Sequence, residues 1–538
     1  EYNNRNSDGF KKIDNSSKNT GFQGNDYVAK FRINSDADAK VYQSLTAKIQ
    51  YSEDLANETY LGLTDTDYAN NPYRRYVGSN EDYIETEHKQ IMLTHLIKPF
   101  ENFSITTKAY KNEFARNWYK LDAVKLGSSK VSINNILTNP ATYNAEYGAI
   151  TGADNTINNA LLVKANNRSY EAKGIQTVAN YTFETGKTKH DIDFGIRYHE
   201  GFEDRFQWVD GYAIQNGVMN RTSNGTPGTD ANAIVKAEAI AAHILYNLSI
   251  DKFTFTPGIR YEDIKLNSLN YGTNDVIRAG TTLAKANNKT NVWIPGMGIL
   301  YKINDDYNIF TSVHKGFSPP GVKAGEDAES SLNTELGFRF HKNALQGEII
   351  GYYNNFSNLQ GSDSMSGGGA GTGDLFNAGE AIVKGIELLA TYDVINNREK
   401  GFKVPVTVSY TLTDTELKNN FNSTIWGTVE SGDEIPYIAK NQLAITTAFE
   451  TDKFNFALSG KYVDAFRTEA GVGTIPANNR VASNFIIDFS VKYHLTNNIS
   501  LMGNIINLLD KEYAVSRVPA GLRPGQPFGI NFGIMAQL

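Results

Sequence analysis

Apolar and polar residues alternate with a period of two in segment after segment of this chain. In 485–493, Phe485, Ile487, Phe489, Val491 and Tyr493 fall on one face, with Asp488, Ser490 and Lys492 on the other. In 45–52, Leu45, Ala47, Ile49 and Tyr51 oppose Thr46, Lys48, Gln50 and Ser52. In 191–198, Ile192, Phe194, Ile196 and Tyr198 oppose Asp191, Asp193 and Arg197. Successive side chains of a strand point to opposite faces, so the pattern predicts strands with one apolar face. Sandwich strands usually stop at about 5–6 residues, whereas a tilted membrane crossing takes about 9–11. The runs here fit the crossing.

The pattern predicts strands at 27–34, 42–52, 89–98, 103–115, 172–184, 189–200, 236–250, 252–264, 292–303 and 306–316. It continues with 331–342, 345–357, 381–393, 404–413, 440–450, 453–464, 483–494, 498–508 and 528–538, and a strand tail at 1–5. Connections alternate in length. Short turns such as Glu184–Thr188 and Thr451–Lys453 separate long polar segments at 53–88, 116–171, 201–235, 265–291, 317–330, 358–380, 414–439, 465–482 and 509–527. Short turns at one end and long loops at the other belong to a transmembrane antiparallel β-barrel. The expected fold is therefore all-β. It is one barrel domain over 1–538, with about 19–20 strands, short periplasmic turns and long extracellular loops.

Composition narrows the function. The 538 residues contain no cysteine, which excludes disulfide scaffolds, thiol chemistry and cysteine-held metals. Net charge is −7, so no basic nucleic-acid surface is indicated. No run of 18 apolar residues marks a transmembrane helix. Tyr51, Tyr110, Trp118, Trp293, Tyr301, Tyr462 and Tyr493 lie near strand ends, as aromatic girdles do. By parity, Lys30, Arg32, Lys48, Asp193, Arg197, Arg260, Glu262, Glu335, Arg339, Glu348, Glu387 and Lys461 face a lumen. The glycine-rich 366–374 lacks the Gly-Lys-Ser/Thr ending of a phosphate loop and is expected to be a flexible external loop. The eight His are scattered without metal-ligand spacing, and no nucleophile motif is present, so no enzyme and no resident cofactor are expected.

A series of short motifs holds its order along the chain. It runs from Ser7-Asp8-Gly9-Phe10 and Tyr60-Leu61-Gly62-Leu63-Thr64-Asp65 through Lys315-Gly316-Phe317-Ser318-Pro319-Pro320 and Lys384-Gly385-Ile386-Glu387. It ends with Asn507-Leu508-Leu509-Asp510-Lys511-Glu512-Tyr513 and Gly521-Leu522-Arg523-Pro524-Gly525-Gln526-Pro527. The series resembles the barrel domain of TonB-dependent outer-membrane receptors, most closely the ferric dicitrate receptor group. The resemblance implies about 22 strands around a globular plug. The plug and the first strands are then expected to lie upstream of Glu1, which reads as a start inside a domain. Residues 528–538 are expected to be an unpaired edge, or to pair with 1–5 or 27–34.

The implied function is active uptake of a ferric chelate, ferric citrate or a related siderophore, across the bacterial outer membrane. Iron enters only as cargo. The implied partners are the chelate, outer-membrane lipid and lipopolysaccharide, and, through the plug, the TonB–ExbB–ExbD energy-transducing complex. A monomer is expected. The rival is a passive pore, or a receptor for haem, cobalamin or carbohydrate. Residues 321–332 carry no His, which counts against haem. An anionic chelate needs cationic forks, and the guanidinium plane suits a carboxylate. Arg116, with Trp118 beside it, opens the long loop after 103–115, and Arg168 closes it. Both arginines align with chelate contacts of the ferric dicitrate receptor. Arg205 and Arg221 are candidates for a third, and a glutamine contact of that receptor falls near Leu359.

Overall fold

The computed structural model describes residues 1–323, 325–362, 375–397, 401–423 and 425–537. The glycine-rich 366–374 and Leu538 lie outside them. One antiparallel sheet of 22 strands dominates. Two of these, Val131–Ser132 and Val218–Ser223, are short outgrowths that each pair with a single neighbour. The other twenty form the barrel wall, numbered β1 (Tyr2–Ser7) to β20 (Gly529–Ala536), and each pairs with the next in chain order. No helix among the described residues is long and apolar enough to cross a membrane.

Strand register divides inside from outside. Phe31, Ala47, Leu93 and Ala109 stand opposite one another on consecutive strands, and the row continues through Ile175, Tyr198 and Ile240. Phe31, Leu93, Ile175 and Ile240 are exposed, as a lipid-facing surface requires. The strand charges assigned to the lumen, from Lys30 to Lys461, all take the opposite parity. Five of the seven girdle aromatics take the outward parity, among them Trp293 and Tyr301. Tyr110 and Trp118 do not. Tyr110 turns inward because its hydroxyl accepts from Arg197 Nη2 at 2.8 Å and meets His199 Nδ1 at 2.7 Å. Trp118 is 8% exposed and packs inside the mouth.

Several strands continue well beyond the sequence-based limits. These are β5 (Phe103–Val124), β6 (Leu161–Thr185) and β7 (Thr188–Gln215), the last 28 residues long. The alternation stops earlier because their tops are covered on both faces. On one face Leu121, Leu161, Val163 and Ile214 pack with α2 (Ile133–Thr138) and α3 (Asn144–Thr151). On the other lie Trp118, Lys120, Asn166 and Gln207, all buried. A helix α1 (Asp65–Asn70) starts at Thr64, whose hydroxyl accepts from the Asp67 N–H at 3.2 Å.

β20 pairs with β19 (Ile499–Ile506) on one side, and β1 pairs with β2 (Phe22–Asn34) on one side. Neither has a second strand partner among the described residues. The unpaired-edge expectation holds, and β20 pairs with neither β1 nor β2 among the described residues. Loops bridge the long-loop end instead. Leu63 and Leu522 exchange backbone hydrogen bonds at 2.9 and 2.8 Å, and the Gly62 N–H donates to the Ala520 carbonyl at 2.6 Å. A Cβ on Gly62 would lie 2.4 Å from the Gly521 carbonyl oxygen, so glycine is required for this approach. Arg517 adds a fork onto Asp65 at 2.6 and 3.2 Å.

The register carries a direct test. Ile196 faces outward and is 50% exposed, while Arg197 beside it faces the lumen. Ile196→Lys is expected to destabilise the folded barrel in lipid vesicles by about 2–4 kcal/mol, and Arg197→Lys by less than about 1 kcal/mol. Urea unfolding followed by tryptophan fluorescence reads both.

Candidate functional site

Arg116 on β5 stands opposite Arg168 on β6, and Arg168 stands opposite Arg205 on β7. Three guanidinium-bearing positions therefore form one transverse row across adjacent strands. Thr86 on β4 (Tyr83–Phe100) precedes the row, and Ala233 on β8 (Ala231–Ile250) follows it. All three arginines have the lumen parity. The sequence put them at loop mouths, but the structure places them inside strands whose tops continue beyond the row. Strand geometry fixes their spacing more firmly than a loop would, because directly opposed residues hold their Cβ atoms about 4.5–5.5 Å apart.

Like charges placed opposite one another in a sheet repel. Arg168 is partly compensated, since its Nη1 donates to Glu203 Oε1 at 2.9 Å and its Nε to Asn166 Oδ1 at 3.1 Å. The Arg116 side chain has no hydrogen bond or ion pair among the described residues, and Arg116 is half-buried. One rung further toward the long-loop end, Trp118 stands opposite Asn166, whose Oδ1 also accepts from Gln207 Nε2 at 2.5 Å. The next rung pairs Lys120 with Lys164, and Lys164 Nζ reaches Asp230 at 2.8 Å.

Two candidates fall outside the row. Arg221, in the outgrowth Val218–Ser223, donates from Nε to the Tyr212 hydroxyl at 2.9 Å and from Nη2 to the Tyr119 hydroxyl at 3.2 Å. Those tyrosines have the outward parity, so Arg221 lies across the sheet from the row. Trp118 shares the face of Arg116, but its ring is occupied. It meets Tyr60 edge-on at 5.4 Å, and Lys120 Nζ lies 4.0 Å from its centre. Leu359 sits at a register irregularity opposite Gly379 and packs against the small core of Ala381, Leu417 and Val429. No sequence pattern pointed to Lys120, which is 0% exposed although it carries an ammonium.

Asp82 closes the loop over Lys120. Its carboxylate accepts the backbone N–H groups of Tyr60 and Leu121, each at 2.9 Å. Burial raises its pKa to about 7, against the pull of those N–H groups and of the Lys120 charge. Among the described residues, no three His, Asp or Glu side chains are grouped to hold a metal ion.

Residues 2–508 match the family described as TonB dependent receptor-like, beta-barrel. The chain belongs to this family. The family consists of transport receptors, found in the outer membranes of Gram-negative bacteria. The ferrienterobactin receptor of Escherichia coli is 23% identical over 316 residues, 54% of this chain and 39% of that protein. The vitamin B12 transporter BtuB of Photobacterium profundum is 21% identical over 335 residues, 58% of this chain and 46% of that protein. This receptor chain thus spans less than half the length of these curated relatives. The unliganded ferric citrate transporter FecA superposes with a TM-score of 0.73 at 17% identity, over 96% of this chain and 70% of that one. The siderophore receptor PiuA of Acinetobacter baumannii gives 0.72 at 15% identity, over 97% and 75%. These likenesses establish the fold.

Asp82 predicts a pH response of the receptor's mouth. A carboxyl whose value is raised in the closed loop holds its proton more tightly there than in the opened loop. Closure is therefore favoured below the unperturbed value of about 4 and weakens as pH rises toward 7. Amide exchange at Tyr60 and Leu121, corrected for its intrinsic pH dependence, should be more protected at pH 5 than at pH 8. Asp82→Asn should remove the difference.

Proposed function

We propose that the chain forms the wall and mouth of an outer-membrane receptor for a carboxylate-rich ferric chelate, ferric citrate or a related siderophore. The observation that carries this reading is the row Arg116, Arg168 and Arg205. Three opposed cations lie on the lumen face, and the Arg116 side chain makes no ion pair among the described residues. An anionic ligand relieves that repulsion, and guanidinium planes on neighbouring strands can each take a carboxylate through two parallel N–H bonds. The superposable ferric citrate transporter supports the choice of chelate. Ferrienterobactin and vitamin B12, which the sequence relatives' names carry, are the competing cargo classes.

Uptake against a gradient needs energy, which this reading draws from the TonB–ExbB–ExbD complex through a plug inside the wall. The outward apolar band meets outer-membrane lipid, with lipopolysaccharide in the outer leaflet, and the receptor works as a monomer. The passive-pore alternative predicts ion conductance without saturable chelate binding.

Ferric citrate titrations of the full-length protein test the assignment. Arg116→Ala and Arg168→Ala are each expected to weaken binding by about 1.5–3 kcal/mol, the range for hydrogen bonds to charged groups. Arg221→Ala, across the sheet, should leave it unchanged. Absence of ferric citrate binding by the parent, or unchanged affinity in both row variants, would reject the chelate.

A further inference from the structure

Beyond Trp118, three segments bring cations onto one dipeptide, Thr59-Tyr60. Arg75 is 0% exposed, and its Nε donates to Thr59 Oγ1 at 3.2 Å. Arg523, from the last long loop, donates to the Thr59 and Tyr60 carbonyl oxygens. Lys120 holds its ammonium 3.5 Å from the centre of the Tyr60 ring. Lys11 joins them, since burial and then the charges of Arg75 and Arg523 pull its pKa down to about 8. Burial and the Arg523 charge likewise lower Arg75, to about 9.

The cluster is short of counter-charge. Arg75 Nη2, Arg523 Nε and Lys120 Nζ are enclosed and have no hydrogen-bond partner among the described residues. None of the four cations makes an ion pair there. Both Asp82 oxygens are committed to backbone N–H groups, and Asp122 and Glu58 act on the cluster without an ion pair. An uncompensated buried charge costs several kcal/mol, and an enclosed donor without an acceptor adds to it. Guanidinium forks with free N–H groups have one natural complement, an oxyanion.

We propose that Arg75 and Arg523, backed by Lys11 and Lys120, bind a small oxyanion, a carboxylate or phosphate, which fastens the 57–82 loop to the 507–528 loop. The occupant draws the two loops together by charge. The site is distinct from the arginine row and does not depend on the chelate assignment. Two sources share this chemistry, a free inorganic oxyanion and a carboxylate arm of the cargo.

The test uses the full-length protein in detergent at fixed ionic strength, with chloride as reference. Equilibrium dialysis of labelled inorganic phosphate and of iron-free citrate gives affinity and stoichiometry. Limited proteolysis of the loops gives closure. One bound oxyanion per chain with slower loop cleavage is expected, and Arg75→Gln and Arg523→Gln should each weaken binding at least about tenfold. Arg221→Gln, across the sheet from the row, should retain it. Binding of phosphate and citrate in mutual competition identifies a general oxyanion site, and binding of citrate alone identifies a cargo arm. Absence of either anion from the parent overturns the proposal. So does unchanged binding in both variants. Should a glutamine variant fail to fold, Arg75→Lys keeps the charge but not the fork and should still weaken binding.

Discussion

A main-chain N–H or C=O that faces hydrocarbon has no water to bond, and each one left open costs several kcal/mol. The wall answers this by pairing every strand with its chain neighbour, from β1 to β20. Most of the molecule follows from that pairing. Register assigns each side chain to lipid or lumen by odd or even number, so Ile196 and Arg197 lie side by side in sequence and face different media. The same register carries through the tops of β5, β6 and β7, where it lines up Arg116, Arg168 and Arg205. The arginines are aligned because the backbone is paired, and no loop conformation has to be specified to bring them together.

The wall was legible in the sequence because one of its faces meets lipid. Lipid demands apolar residues at every second position, and runs such as Phe485 to Tyr493 record that demand. The signal fades where the lipid ends. Above Arg116 both faces of β5 are covered, one by α2 and α3 and the other by the Thr59-Tyr60 segment. Residues there alternate between two kinds of interior, and the period of two disappears from the hydropathy. The lumen charges were readable by parity, but the ladder position of Arg205 was not, because a register between strands is a relation that one strand does not encode. Trp118 and Tyr110 were misassigned for a related reason. An aromatic near a strand end fits a girdle or a packed mouth equally well, and only its partners, Tyr60 and Arg197, decide.

Two motifs of the family series acquire a role in three dimensions. Tyr60 to Asp65 and Gly521 to Pro527 lie more than 450 residues apart and form one contact. Their glycines are explained by distance, since Gly62 and Gly521 approach too closely for a Cβ on Gly62. Asn507 belongs to the same end of the chain. Its left-handed backbone, at φ 50°, begins the turn, and its side chain bonds the Lys511 and Gln526 carbonyls, so the last loop is anchored at both its ends.

The two free edges have a geometric consequence. β1 runs toward the long-loop end and β20 runs away from it, so the edges already point in opposite senses. Any element that fills the gap between them while keeping every pairing antiparallel must contribute an even number of strands, zero included. A single inserted strand would meet one edge in parallel and lose the shared ladder geometry of the rest of the wall. The seam is thus selective for what can mend it. A hairpin or direct closure completes the wall with antiparallel pairing throughout, and a lone strand does not.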